Sequence, residues 1–186
     1  MSKRKEMKKL KLYIAMSLDG YIARKDGSID WLEALPNPNQ IDYGYSDFYD
    51  TIDTVIMGRT TYDHILGFDV PWPYEKCTTY LATRATDYEA PTPQTKVIQG
   101  EIGVASRAII QEDGKDIWLV GGGQLVAFYL DEGLVDEMLL FVIPTIIGDG
   151  IPLFPSPLKE RSFQLTSVEK YETGASLLHF TKASKQ

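Results

Sequence analysis

Apolar and polar positions alternate over residues 10–16, which predicts a half-buried strand. Short continuous apolar runs at 54–57 and 116–120 each end close to glycine and read as buried strands of a parallel sheet. Further strands are predicted at 78–83 and 96–98. Between the strands the period changes. Residues 45–52 carry Phe48, Tyr49 and Ile52 at helical spacing, and 60–66, 104–112 and 124–130 also read as helices. Ser17-Leu18-Asp19-Gly20 turns the chain out of the first strand into Tyr21-Ile22-Ala23 and a loop ending at Asp26-Gly27. A polar stretch opening at Asp30 is broken by Pro36 and Pro38. This strand–helix alternation predicts an α/β fold with a largely parallel sheet. The last third differs. A strand at 137–144 is followed by runs at 163–171 and 176–181 that flank Glu172-Thr173-Gly174, a hairpin signal. The sheet should therefore be mixed, with antiparallel strands at its C-terminal edge.

At 186 residues the chain fits one domain, 1–186, that needs no staple to bury a core. Its 44% hydrophobic and 24% charged content is ordinary for a globular protein. The one cysteine, Cys77, precludes an intrachain disulfide and a multi-cysteine metal site, so a reducing, cytoplasmic setting is expected. Cys77 has no electropositive setting that would make it reactive. His64 and His179 lack metal-ligand spacing, and no metal is expected. A net charge of −7 argues against a nucleic-acid surface. Lys3, Arg4, Lys5, Lys8 and Lys9 read as a solvated tail, because Lys11 and Asp19 interrupt what would otherwise resemble a leader. No run reaches the roughly 18 apolar residues of a membrane span, so no membrane partner is expected.

Local chemistry stands out at the strand ends. Met57-Gly58-Arg59-Thr60-Thr61-Tyr62 combines a glycine that lets backbone approach a ligand, threonines that donate hydrogen bonds, and a guanidinium fork. Ile117-Trp118-Leu119-Val120-Gly121-Gly122-Gly123-Gln124 removes every Cβ where a pyrophosphate would lie against free N–H groups. Leu81-Ala82-Thr83-Arg84 offers a third hydroxyl and cation. Arg84 can join Arg59 on one phosphate if their strand ends are neighbours. Neither the Rossmann glycine spacing nor a P-loop is present, and no Gly-x-Ser-x-Gly elbow supports a hydrolase.

Met57-Gly58-Arg59-Thr60-Thr61-Tyr62 and Gly121-Gly122-Gly123-Gln124-Leu125 resemble the two signature turns of the dihydrofolate reductase superfamily. Ala15-Met16-Ser17-Leu18-Asp19-Gly20-Tyr21-Ile22-Ala23 is more similar to the riboflavin-biosynthesis reductases, the C-terminal domain of the bifunctional deaminase-reductase. Gly133-Leu134-Val135-Asp136-Glu137 and the segment from Pro144 to Phe154 share that similarity. The resemblance spans about residues 10–181. It implies a three-layer dihydrofolate reductase-like fold, NADPH as hydride donor and a homodimer. By position, Gly58, Arg59, Thr60 and Thr61 would hold the pyrophosphate and 2′-phosphate. Thr83 and Arg84 would flank the adenosine, and Gly121, Gly122, Gly123 and Gln124 would cover the pyrophosphate and nicotinamide side. Asp30 and Trp31 match a mobile loop over the active site, with Trp31 as an apolar lid. The implied reaction is reduction of 5-amino-6-(5-phosphoribosylamino)uracil. Dihydrofolate reduction and a non-catalytic NADPH sensor are the alternatives. Two departures from the riboflavin reductases stand out. Val120 occupies a position where they commonly carry glutamate, and residues 43–53 lack the arginine that holds the sugar phosphate.

Reduction of a C=N bond needs a proton as well as a hydride, and a carboxyl in an apolar pocket would supply it. The resemblance to dihydrofolate reductases implies an acid on the helix before the Met57-Gly58-Arg59 strand, where Asp42 and Asp47 are the counterparts. Tyr43, Tyr45 and Phe48 can stack on a flat heterocycle or pack in the core. The expected small heterocyclic substrate lies between the nicotinamide face and residues 30–48.

Overall fold

Eight strands form one sheet in the computed structural model, which describes residues 7–98 and 100–183. The N-terminal half supplies β1 (Leu10–Ser17), β2 (Tyr21–Ala23), α1 (Asp30–Glu33), α2 (Tyr45–Asp50), β3 (Ile52–Gly58), α3 (Arg59–Leu66), β4 (Thr78–Ala82) and β5 (Thr95–Ile98). Then come α4 (Ile102–Ile110), β6 (Asp116–Gly121), α5 (Gly123–Asp131), β7 (Glu137–Ile143), β8 (Ile151–Pro152), β9 (Phe163–Lys170) and β10 (Ser176–Lys182). The strand order is β5-β4-β3-β6-β1-β7-β10-β9; β1, β3, β4, β5, β6 and β7 run parallel, while β10 is antiparallel to β7 and β9 to β10. This is the mixed, mainly parallel sheet with an antiparallel C-terminal hairpin that the sequence predicts.

Alternation along β1 divides the core into two layers. Leu10 and Leu12 are fully buried on one face, against Ile109 of α4 and Leu125, Val126, Tyr129 and Leu130 of α5. Tyr13 turns to the other face, where Phe48 of α2, Tyr62 of α3 and Trp31 of α1 pack on Val55, Met57, Trp118 and Phe141. The sheet is thus sandwiched between two helical layers. No helix among the described residues is long and apolar enough to cross a membrane.

The structure departs from the sequence reading in two places. Strand β8, two residues long and ending in proline, carries no periodic signal. It exists because β2 pairs with it antiparallel. Lys8 is not a solvated tail residue. It is 6% exposed, and its Nζ donates to Asp53 at 2.6 Å and to Thr54 at 3.0 Å, closing the N-terminal end of the sheet. Lys3, Arg4 and Lys5 lie outside the described residues.

Candidate functional site

Strand register gathers the three candidate turns. Gly58 of β3 pairs with Ala82 of β4, so Thr83 and Arg84 leave the sheet beside Arg59 and Thr60. Met57 pairs with Gly121, which sets the glycine turn on the other side of β3. The two turns touch. A Cβ on Gly122 would lie 3.2 Å from Thr61 Oγ1, and one on Gly58 would lie 3.9 Å from the Gly121 carbonyl. Gly121 has φ +133°, a conformation that an L side chain strains to adopt.

Helices α3 and α5 leave this point in opposite directions. The first leads to β4. The second crosses β1 to reach β7, so a topological switch point lies between β3 and β6 at the carboxyl edge. Open α/β sheets bind ligands in that crevice. Gly58 and Gly122 are the N-cap residues of the two helices, and neither helix has a side-chain cap or an acidic residue in its first turn. Their leading N–H groups and positive dipole ends therefore face the crevice without a competing carboxylate. Two such helix starts side by side favour an anion over a cation.

At the outer end Arg59 is exposed. Its Nε donates to Asp63 at 3.2 Å, and its guanidinium carbon sits 4.8 Å from the centre of the Tyr88 ring. The Tyr88 hydroxyl donates to Asp63 at 2.5 Å. Burial, reinforced by that carboxylate, pushes the Tyr88 phenol up to about 12, so it remains a donor. Asp63 and Tyr88 thus hold the arginine at the mouth of the crevice. Thr83 is buried and its hydroxyl accepts from its own loop, at Ala85 N (3.1 Å), while Arg84 is exposed beside it.

On the inner side an aromatic wall covers the sheet. Tyr13 stacks on Phe48 with ring centres 4.3 Å apart, and it meets Tyr45, Trp118 and Phe141 edge-on or tilted. Tyr43 packs on Phe141 and on Tyr171 of the hairpin turn. Burial pushes the Tyr171 phenol up to about 12 and the Tyr13 phenol higher still, so both hydroxyls stay protonated. Two donors in this wall, Trp31 Nε1 and Tyr43 Oη, are buried without a hydrogen-bond partner. Buried polar groups are seldom left in that state.

Four expected site residues take other places. Trp31 is 4% exposed against Phe141, Ile143 and Ala175, so it is a fixed part of the wall rather than a free lid. Asp30 faces outward. It accepts from Arg24 Nε at 2.6 Å and from the Trp31 N–H at 2.8 Å, which fixes the start of α1. Asp42 is exposed and accepts from the N–H groups of Gly44 and Ser46, leading the chain into α2. The Gly44 N–H, with Ser46, holds its carboxyl below the usual range, so it is an ionised structural group and not an acid in an apolar pocket. Asp47 is exposed in the first turn of α2. The sequence reading missed Tyr13, Phe141, Tyr171, Asp63 and Tyr88. Only Tyr13 had a signal, as the aromatic residue on the face of β1 opposite Leu12.

The RibD C-terminal domain model matches residues 72–177. The uncharacterized protein YwjB of Bacillus subtilis (strain 168) is 40% identical over 176 residues, 95% of this chain and 99% of that protein. A crystal structure from Shewanella sp. PV-4, provisionally assigned to riboflavin biosynthesis, superposes with a TM-score of 0.85 at 31% identity, covering 95% of this chain and 99% of that one. Dihydrofolate reductase from Enterococcus faecalis, complexed with NADP(H), superposes with a TM-score of 0.69 at 18% identity, covering 95% and 97%. At that identity the last likeness shows the fold alone, and the fold is that of dihydrofolate reductase.

Proposed function

The chain belongs to the RibD C-terminal domain family, and from that premise we propose that it is an NADPH-dependent reductase of a flat, nitrogen-rich heterocycle. The observation that carries this reading is the switch point between β3 and β6, where two uncapped, acid-free helix starts meet. The leading N–H groups of α3 and α5 hold the pyrophosphate, and Thr61 closes the gap between the turns. Arg59, with Arg84, pairs with the 2′-phosphate, which makes NADPH preferred over NADH. The cofactor, when bound, supplies the hydride.

The aromatic wall takes the heterocycle, and Trp31 Nε1 and Tyr43 Oη donate to its carbonyl or ring-nitrogen acceptors. The proton comes from water, since Asp42 and Asp47 are solvated. The substrate assigned first is 5-amino-6-(5-phosphoribosylamino)uracil. Helix α2 carries no basic residue for its phosphate, which favours dihydrofolate or another pterin as a second reading.

The test is NADPH oxidation with both substrates side by side, with methotrexate as competitor. Turnover of the ribosylaminouracil, insensitive to methotrexate, is the expected result. Turnover of dihydrofolate alone, blocked by methotrexate, would replace the substrate assignment. NADPH binding without turnover of either would favour the sensor.

A further inference from the structure

Ser17-Leu18-Asp19-Gly20 and the segment after β7 are tied together by bonds that the proposed reaction does not use. Ser17 is fully buried at the end of β1. Its Oγ accepts from Tyr21 N at 3.0 Å and donates to Asp19 Oδ1 at 2.6 Å. The Asp19 carboxylate reaches across to residues 145–155 and accepts from Ile147 N at 3.2 Å and Gly148 N at 2.8 Å. The same segment is joined to the loop by Leu18 N to the Thr145 carbonyl at 2.8 Å, Leu153 N to the Gly20 carbonyl at 3.0 Å, and the β2–β8 pairing. Its far end touches the glycine turn. A Cβ on Gly123 would lie 2.3 Å from the Pro152 carbonyl oxygen, and Leu153 is fully buried in the cluster that holds Leu125 and Val126 of α5.

A continuous path of contacts therefore runs from Asp19 through Ile147 and Gly148 to Pro152, and from there to the start of α5. We infer that Asp19 is a positioning residue, whose carboxylate holds residues 145–155 as a strap against the turn 121–124 and so sets the shape of the cradle. It touches neither cofactor nor substrate. The Ser17 hydroxyl keeps its carboxyl below the usual range, so both oxygens accept at neutral pH. Asparagine in its place would present an NH2 group where a carboxylate oxygen now accepts from an N–H. That change loosens the strap without removing its other ties.

This inference rests on the reading of residues 121–124 as the pyrophosphate turn, and two measurements separate the two ideas. The first is amide hydrogen exchange of ligand-free Asp19→Asn. Exchange should quicken at residues 147–148 and also at 121–126, and stay unchanged in β4 and β5. Quickening confined to 147–148 would overturn the strap whatever the protein binds. The second compares NADPH with adenosine 2′-monophosphate, which carries the arginine-binding end and lacks the pyrophosphate and the nicotinamide half. Asp19→Asn should weaken NADPH about tenfold and leave the monophosphate unchanged. Lys25→Ala, which removes only an exposed ion pair to Asp149 on the same strap, should alter neither. Equal weakening of both ligands would mark Asp19 as merely structural and overturn the inference. If wild-type protein failed to bind NADPH, the cofactor reading would fall while the exchange result still decided the strap.

Discussion

At residue scale, Trp31 and Tyr43 carry the most pointed information. A buried donor without an acceptor costs about 1–3 kcal/mol, and Trp31 Nε1 and Tyr43 Oη both stand without a protein partner in one aromatic wall. Trp31→Phe removes the N–H and keeps an aromatic ring in the packing. We expect thermal stability to change little, because relief of the unpaired donor offsets the lost contacts. KM for the heterocycle should rise roughly tenfold, the worth of a hydrogen bond to a neutral acceptor at the upper end of its range. Steady-state kinetics and a melting curve check both, and an unchanged KM would show that this N–H does not reach the substrate. The sequence names Trp31 through the resemblance, as an apolar lid, and Tyr43 because an aromatic ring can stack on a flat ligand. It could not show that Trp31 is fixed, since that depends on Phe141, Ile143 and Ala175 from the far end of the chain.

Asp136 gives a pH prediction at the same scale. It accepts from Leu10 N at 2.9 Å, and burial pushes its carboxyl above the usual range, against the pull of that N–H and of Lys182 and Lys9. Its folded pKa therefore exceeds its unfolded one. The stability it contributes is full below the unfolded value and is lost as pH rises through the folded one. Asp136→Asn keeps an acceptor without the charge. Its stability relative to wild type should be greatest at neutral pH and shrink toward about pH 4, the ordinary carboxyl range. Denaturant midpoints across that range check it, and a difference independent of pH would contradict it.

Among the elements, the glycines of the β6–α5 turn have distinct reasons to be there. A Cβ on Gly123 meets a backbone carbonyl at 2.3 Å, whereas one on Gly122 meets the rotatable Thr61 hydroxyl at 3.2 Å. Gly123→Ala should cost about 1–3 kcal/mol, as overpacking does, and Gly122→Ala clearly less. Urea unfolding of the two variants checks the ranking, and equal losses would show that the strap yields freely. Strands with a continuous apolar run or clean alternation, such as β1, β3 and β6, were legible because their period reports burial directly. So was the hairpin, from its Glu-Thr-Gly turn. Strand β8 was not, because it is defined by what pairs with it. Lys8 was misread for a similar reason: its partners, Asp53 and Thr54, lie 45 and 46 residues away.

For the molecule as a whole, a net charge of −7 and an anionic ligand are compatible because the field at the crevice is local. The residues that make it, Arg59, Arg84 and the leading N–H groups of two helices, were legible as separate turns. Their convergence is a product of strand order, since β6 is inserted between β1 and β3 late in the chain. Whether this convergence is an NADPH site is decided by calorimetric titration of wild type and Arg59→Ala with NADPH and NADH. One NADPH should bind per chain, in preference to NADH. In Arg59→Ala, affinity for NADPH should fall roughly ten- to a hundredfold, as expected for loss of charge-assisted bonds, and affinity for NADH far less. Failure of wild type to bind NADPH, or equal losses for both cofactors in the variant, would contradict that reading.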